Sequence, residues 1–156
     1  EKAELMQLFE RSILDLLQQH QENSKKQKPE VRFLYALMQS IGTSANNSLA
    51  QDEDTYAIDE SRYIGFHDKA ESLLWVRMES AWSIVEQYYK RQGEDWMTKM
   101  QTIKELLLKK GISDGKKMPD GEAGNEYLRR ARKGSRKRML VLHQDVVEEL
   151  LKEEGE

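Results

Sequence analysis

Apolar side chains recur at three- and four-residue steps from Leu5 through Leu8, Phe9, Ile13, Leu16 and Leu17, with Glu, Gln and Arg between them. This spacing predicts an amphipathic helix ending near His20. A polar stretch, Gln21 to Lys28, follows. Pro29 suits the first turn of a second helix, because its missing N–H is one that a helix start leaves unbonded anyway. Phe33, Leu34, Leu37, Met38 and Ile41 mark the buried stripe of that helix, and Gly42 its C-terminal cap. Two helices joined by a polar turn predict an antiparallel pair.

Residues Gly42 to Asp54 carry Ser, Asn, Gly and acids without periodicity, which predicts an exposed and mobile connection. The pattern then changes. Tyr63 to Phe66 and Leu73 to Val76 are short aromatic and β-branched runs around His67 to Ser72, a spacing that predicts a β-hairpin. Met78, Ala81, Trp82, Val85 and Tyr89 return to helical spacing up to Gly93. Thr98 is placed to cap a further helix, whose buried face is Ile103, Leu106 and Leu107 and which closes on Lys109, Lys110 and Gly111. Two strands are predicted next, Tyr127 to Arg132 and Arg136 to Leu142, around Lys133-Gly134-Ser135, with Gly134 expected at positive φ. A final helix over Asp145 to Glu153 is expected to bury Val146, Val147, Leu150 and Leu151.

The chain therefore reads as α+β, mainly α. Residues 1–54 form a helical pair with an acidic linker, and residues 55–156 a winged-helix-like domain with short β-hairpins. Within that domain, residues 78–142 supply helix, helix and a basic hairpin wing, and residues 143–156 the last helix.

Composition narrows the classes. A chain of 156 residues buries roughly 70% of its unfolded surface. With 38% apolar and 34% charged residues, its core is modest and its surface highly charged. The absence of cysteine excludes disulfides and thiolate metal sites, in keeping with a reducing compartment. No apolar run approaches the ~20 residues of a membrane span, so a cytoplasmic protein without a membrane partner is expected. The chain opens on Glu1 and enters a helical pattern at once, which suggests a fragment of a longer protein.

Charge is segregated. Arg129 to Arg138 holds seven cations in ten positions with no acid. Residues 95–142 carry 13 Lys/Arg against 6 Asp/Glu, whereas the remainder carries 12 against 22. A cationic segment set in an anionic chain fits a polyanion, and nucleic acid is the most abundant one. The candidate contacts are Arg129, Arg130, Arg132, Lys133, Arg136, Lys137 and Arg138 on the hairpin, with Lys99, Gln101, Lys104 and Lys109 on the polar side of the preceding helix as a groove element. Arg130, Arg132, Arg136 and Arg138 alternate along the strands, so about four phosphate contacts are the expected ceiling. DNA, duplex or single-stranded, is the expected partner.

Catalytic patterns fail. Gly111-Ile112-Ser113-Asp114-Gly115-Lys116-Lys117 has three residues between its glycines instead of four, carries Lys where Ser or Thr should hold magnesium, and follows a helix instead of a strand. His20, His67 and His143 share no ligand spacing. The carboxylates Asp52-Glu53-Asp54, Glu148-Glu149 and Glu153-Glu154 fall on a loop and on a solvated helix end, where no buried partner is expected. No cofactor, metal or catalytic residue is therefore expected. The aromatics Tyr63, Phe66, Trp75, Trp82, Tyr88 and Tyr89 follow strand and helix periods beside aliphatics, which favours core packing over a base-stacking platform; Trp96 has no such explanation.

Pro29 to Leu37, Tyr63 to Asp68, Leu73 to Val76, the Tyr88 to Gly93 helix end, Leu106 to Ile112 and the basic hairpin together resemble the C-terminal region of helicase-like ATPases, of the primase-helicase type, carried by phages, satellites and integrated genetic elements. The resemblance covers about residues 29 to 150 through short motifs, and departs at the acidic loop around Asp52 to Asp54. It implies a winged helix domain that engages DNA, following a hexamer-forming ATPase core, in the replication of a mobile element. The competing expectation is a protein-interaction module, in which the basic hairpin grips an acidic partner or the parent ATPase core.

Overall fold

The computed structural model describes residues 28–44, 47–115 and 127–154, with Glu4 and Gln7 as isolated helical positions. Apart from Gln7, the first predicted helix over Leu5 to His20 lies outside the described residues, as do Gln21 to Gln27 and the Lys116-Lys117 end of the glycine-containing loop. Among the described residues the chain is α+β, with five α-helices and one mixed sheet of five strands.

Helix α1 spans Pro29–Ser40. Lys28 is extended and Pro29 takes the first turn, as proline's fixed φ allows. Val31, Phe33, Leu34 and Leu37 are buried, while Met38 and Ile41 are partly so. The Ile41 N–H donates to the Leu37 carbonyl, and Gly42 turns the chain away at φ +83.

The stretch expected to be irregular after Gly42 contains structure. Strand β1 (Leu49–Ala50) pairs in parallel with β2 (Gly65–Asp68). Asp52 then caps α2 (Glu53–Ile58), its carboxylate accepting the Thr55 N–H at 2.7 Å. A two-residue strand has no periodicity to read, and its partner lies 16 residues on, so the local pattern could not show it. A 3₁₀ turn, Glu60–Arg62, leads into β2.

Strands β2 and β3 (Leu73–Val76) form the expected hairpin. It is shifted, because His67 and Asp68 pair with Leu74 and Leu73 and shorten the turn to residues 69–72. Phe66 and Trp75 face each other across the ladder with rings stacked at 5.3 Å. Helix α3 (Met78–Arg91) follows and closes towards Gly93 at φ +74. Tyr89 stacks on Trp96 at 5.3 Å, Trp82 meets Trp96 edge-on, and Phe33 lies 6.1 Å from Trp82. Trp96 is thus a packing residue, and burial pushes the Tyr89 hydroxyl up to about 12.

Helix α4 (Met100–Lys109) does not use Thr98 as its cap. Lys99 is the N-cap, extended and without a side-chain cap bond, so Thr98 stands one residue too early to reach the first free N–H groups. The helix ends as expected, with Gly111 at φ +71, and the Lys110 ammonium pairs with the buried Glu30 carboxylate of α1.

Strand β4 is only Arg129–Arg130, since Tyr127 sits at φ +70; β5 is Arg138–His143, since Arg136 sits at φ +53. The sheet order is β1-β2-β3-β5-β4, so β5 lies between the first hairpin and β4. Helix α5 (Gln144–Glu154) starts where β5 ends. Val147 is fully buried and Leu150 and Leu151 partly so, but Val146 is 38% exposed, contrary to expectation. One residue is about 100° of helix, which turns Val146 off the stripe.

Strand alternation divides the core. Leu74, Val76, Leu140 and Leu142 point to the face covered by Phe33 and Leu34 of α1, Val85 of α3, Ile103 and Leu107 of α4 and Val147 of α5. Leu73, Trp75, Met139 and Val141 point to the other face, where Tyr56 of α2, Ala50 and Ala131 pack. Helix α1 therefore shares its core with residues 64–147. Each fully buried Leu or Phe contributes about 1.5–3 kcal/mol. Among the described residues no helix is long and apolar enough to cross a membrane.

Candidate nucleic-acid interface

The basic segment forms the predicted antiparallel pair, Arg129↔Met139 and Arg130↔Arg138, with the Ala131 N–H donating to the Lys137 carbonyl at 3.0 Å. Ala131 is 4% exposed and anchors the loop into the core, and Gly134 adopts φ +67 as expected.

The loop does not project freely. Acids from the stretch read as a linker and from the 3₁₀ turn after it hold the loop: Glu60 Oε1 of the turn accepts both the N–H and the hydroxyl of Ser135 at 2.9 Å. Glu53 Oε2 accepts the Arg132 N–H at 3.0 Å, and Asp54 pairs with the Lys133 ammonium. These carboxylates satisfy backbone donors and one lysine, while the side chains of Arg130, Arg132, Arg136 and Lys137 stay exposed. The hairpin read as a wing is thus clamped by carboxylates of its own chain. Local pattern gave no sign of it, because the partners are 75 to 79 residues apart.

The clamp is electrostatically visible. The Ser135 N–H bond is the largest influence on Glu60 and outweighs the opposing effect of burial; with a lesser contribution from the Ser135 hydroxyl it holds the carboxyl below the ordinary glutamate range. The bond from the Thr55 N–H holds Asp52 low, and the hydrogen bond to Asp54 raises Lys133. For a depressed carboxylate the stabilisation is complete above the ordinary value and fades as pH falls through the folded one. The Ser135 amide resonance is therefore expected to titrate with a midpoint below the usual 4.5 of glutamate. A midpoint at or above that value in an NMR titration would show that Glu60 does not hold the loop.

Between the hairpin and the starts of α3 and α4 lies a concavity of about 730 Å³. Six cations line it: Arg130, Arg136, Lys137 and Arg138 from the hairpin, Arg77 at the N-cap of α3, and Lys104 of α4. Glu79 is the one acid among the lining residues, and Met78, Met100 and Leu128 give it an apolar base. Lys104 is 2% exposed, a correction to its expected place on the solvated side of α4. Helical spacing explains this, since residue 104 stands four after Met100 and three before Leu107, on the inward face. Arg77 donates from Nη2 to the Tyr63 carbonyl at 2.8 Å, and its Nε has no partner among the described residues. The first N–H groups of α3 open beside it and add the positive end of a 14-residue helix.

The other candidates stand elsewhere. Arg129 is held by Asp114 at 2.6 Å with its guanidinium 5.0 Å above the Trp75 ring. Arg132 and Lys133 lie on the clamped side of the loop. Lys99, Gln101 and Lys109 are exposed on α4 and do not line the concavity. Sequence reading missed Arg77; its only local signal was a cation immediately before a predicted helix start. His67 is half-buried, and its pKa is lowered by that burial. Among the described residues no group of three His, Cys, Asp or Glu could hold a metal ion. Compared with known proteins, the chain matches no family model, no curated protein and no solved structure.

Proposed function

We propose that this protein is a DNA-binding module, non-catalytic in itself, that holds the phosphate backbone in the basic concavity between the hairpin, α3 and α4. The observation that carries this reading is six cations from three separate elements converging on one hollow with a single acid. Arg130, Arg136 and Lys137 are exposed on its rim, where they attract phosphates that release condensed counterions on binding. The order α3, α4, basic hairpin supports a winged-helix arrangement, with the hairpin as a wing braced by its own acidic segment. The sequence resemblance supports a place beside the ATPase core of a mobile-element replication helicase.

Fluorescence anisotropy with labelled DNA tests this. Four phosphate contacts predict about a hundredfold loss of affinity between 50 and 200 mM salt. No binding at 50 mM salt would remove the reading.

A protein-interaction module is the second reading, and one observation favours it: Glu53, Asp54 and Glu60 already show that the hairpin accepts carboxylates. Under that reading an acidic peptide competes as well as DNA does at equal charge.

A further inference from the structure

We infer that the site takes a single nucleic-acid strand in preference to a duplex, through a groove that continues past the hairpin along α3. This rests on the nucleic-acid reading above and narrows it. A second hollow of about 630 Å³ shares Arg77, Glu79 and Ser80 with the basic concavity, so the two form one channel. Beyond the shared residues the channel follows Ser83, Gln87 and Arg91 along one side of α3, with Asn47 and Ser61 on the facing wall.

The chemistry changes along its length. At one end cations surround an apolar base of Met78, Met100 and Leu128; at the other, hydroxyls and amides lead to a second cation, Arg91. Arg77 and Arg91 bracket about 21 Å of helix at 1.5 Å per residue. A single strand meets these demands together. Its phosphates reach the cations at both ends, its unstacked bases expose edges to Ser80, Ser83 and Gln87, and the flat face of one base covers the apolar floor. Glu79 accepts from an exocyclic amino group, as carboxylates do from cytosine. A duplex presents a convex backbone with its bases stacked inside, so it bridges the rim and leaves the floor unfilled. The tryptophans are committed to packing, with Trp75 buried and Trp82 and Trp96 in mutual contact, so base contacts come from the groove instead of an aromatic platform.

The test compares a labelled twelve-nucleotide single strand, its duplex and a strand of the same length built of abasic units, at 50 mM salt. The single strand is expected to bind about tenfold more tightly than either of the others. Ser83→Glu with Gln87→Glu changes two exposed positions of the distal groove. It is expected to weaken single-strand binding at least about fivefold, and duplex binding less than about twofold, with an unchanged thermal unfolding curve. Duplex binding as tight as the single strand, or a double variant with full single-strand affinity, overturns the inference and leaves phosphate binding standing. Binding by none of the three oligonucleotides removes both.

Discussion

Replacing Gly65 with Ala is expected to lower the unfolding free energy by about 3–5 kcal/mol. That is a large share of the ~5–15 kcal/mol that holds a domain together. A Cβ built on Gly65 falls 1.7 Å from the Trp75 carbonyl oxygen, 2.7 Å from its carbonyl carbon and 2.8 Å from Val76 Cα. All three are backbone atoms of the neighbouring strand, so no side-chain rotation relieves the clash. The ladder from Gly65↔Val76 to Asp68↔Leu73 has to separate, and β3 is also the partner of β5. Gly93→Ala is the control: it adds the same methyl group where nothing lies within 4 Å, and strains only the φ of +74. Its expected loss is about 1 kcal/mol. Urea denaturation of the two variants decides, and equal losses would mean that the close approach at Gly65 is not part of the folded chain.

Arg130→Glu combined with Arg136→Glu is expected to weaken DNA binding by about a hundredfold at moderate salt, and to reduce the slope of log affinity against log salt by about two. Both side chains are exposed on the rim of the concavity, so the folded state has little stake in them. Lys99→Glu with Lys109→Glu makes the same change in net charge on exposed positions of α4 outside the concavity. That pair is expected to cost less than about threefold. Equal losses from the two pairs would show that net charge, and not a built site, governs the binding.

The long helices and the buried strands were legible because their patterns are local. Helices α1 and α3 carry full apolar stripes, and Leu73 to Val76 is an unbroken apolar run because both sheet faces are covered. The basic hairpin announced itself through composition and through Gly134. What could not be read were partnerships across the chain. Nothing near Asp54 or Glu60 marks them as the seat of a loop some 75 residues later. Lys104 looked like a solvated cation because residue type outweighed helical position, yet its spacing from Met100 and Leu107 turned it inward. Arg77 belonged to no motif, and became part of the site only when the α3 start folded beside the hairpin.

The placement of β5 bears on mechanics. Its first residue closes the basic loop, and its remaining length pairs along β3 from Val76↔Leu140 to Leu73↔His143. Tension on a bound strand would run along β5 and load that ladder in shear, where the inter-strand hydrogen bonds resist together instead of unzipping one after another. Were DNA held there as proposed, such a root would let the contact release before the domain itself tears.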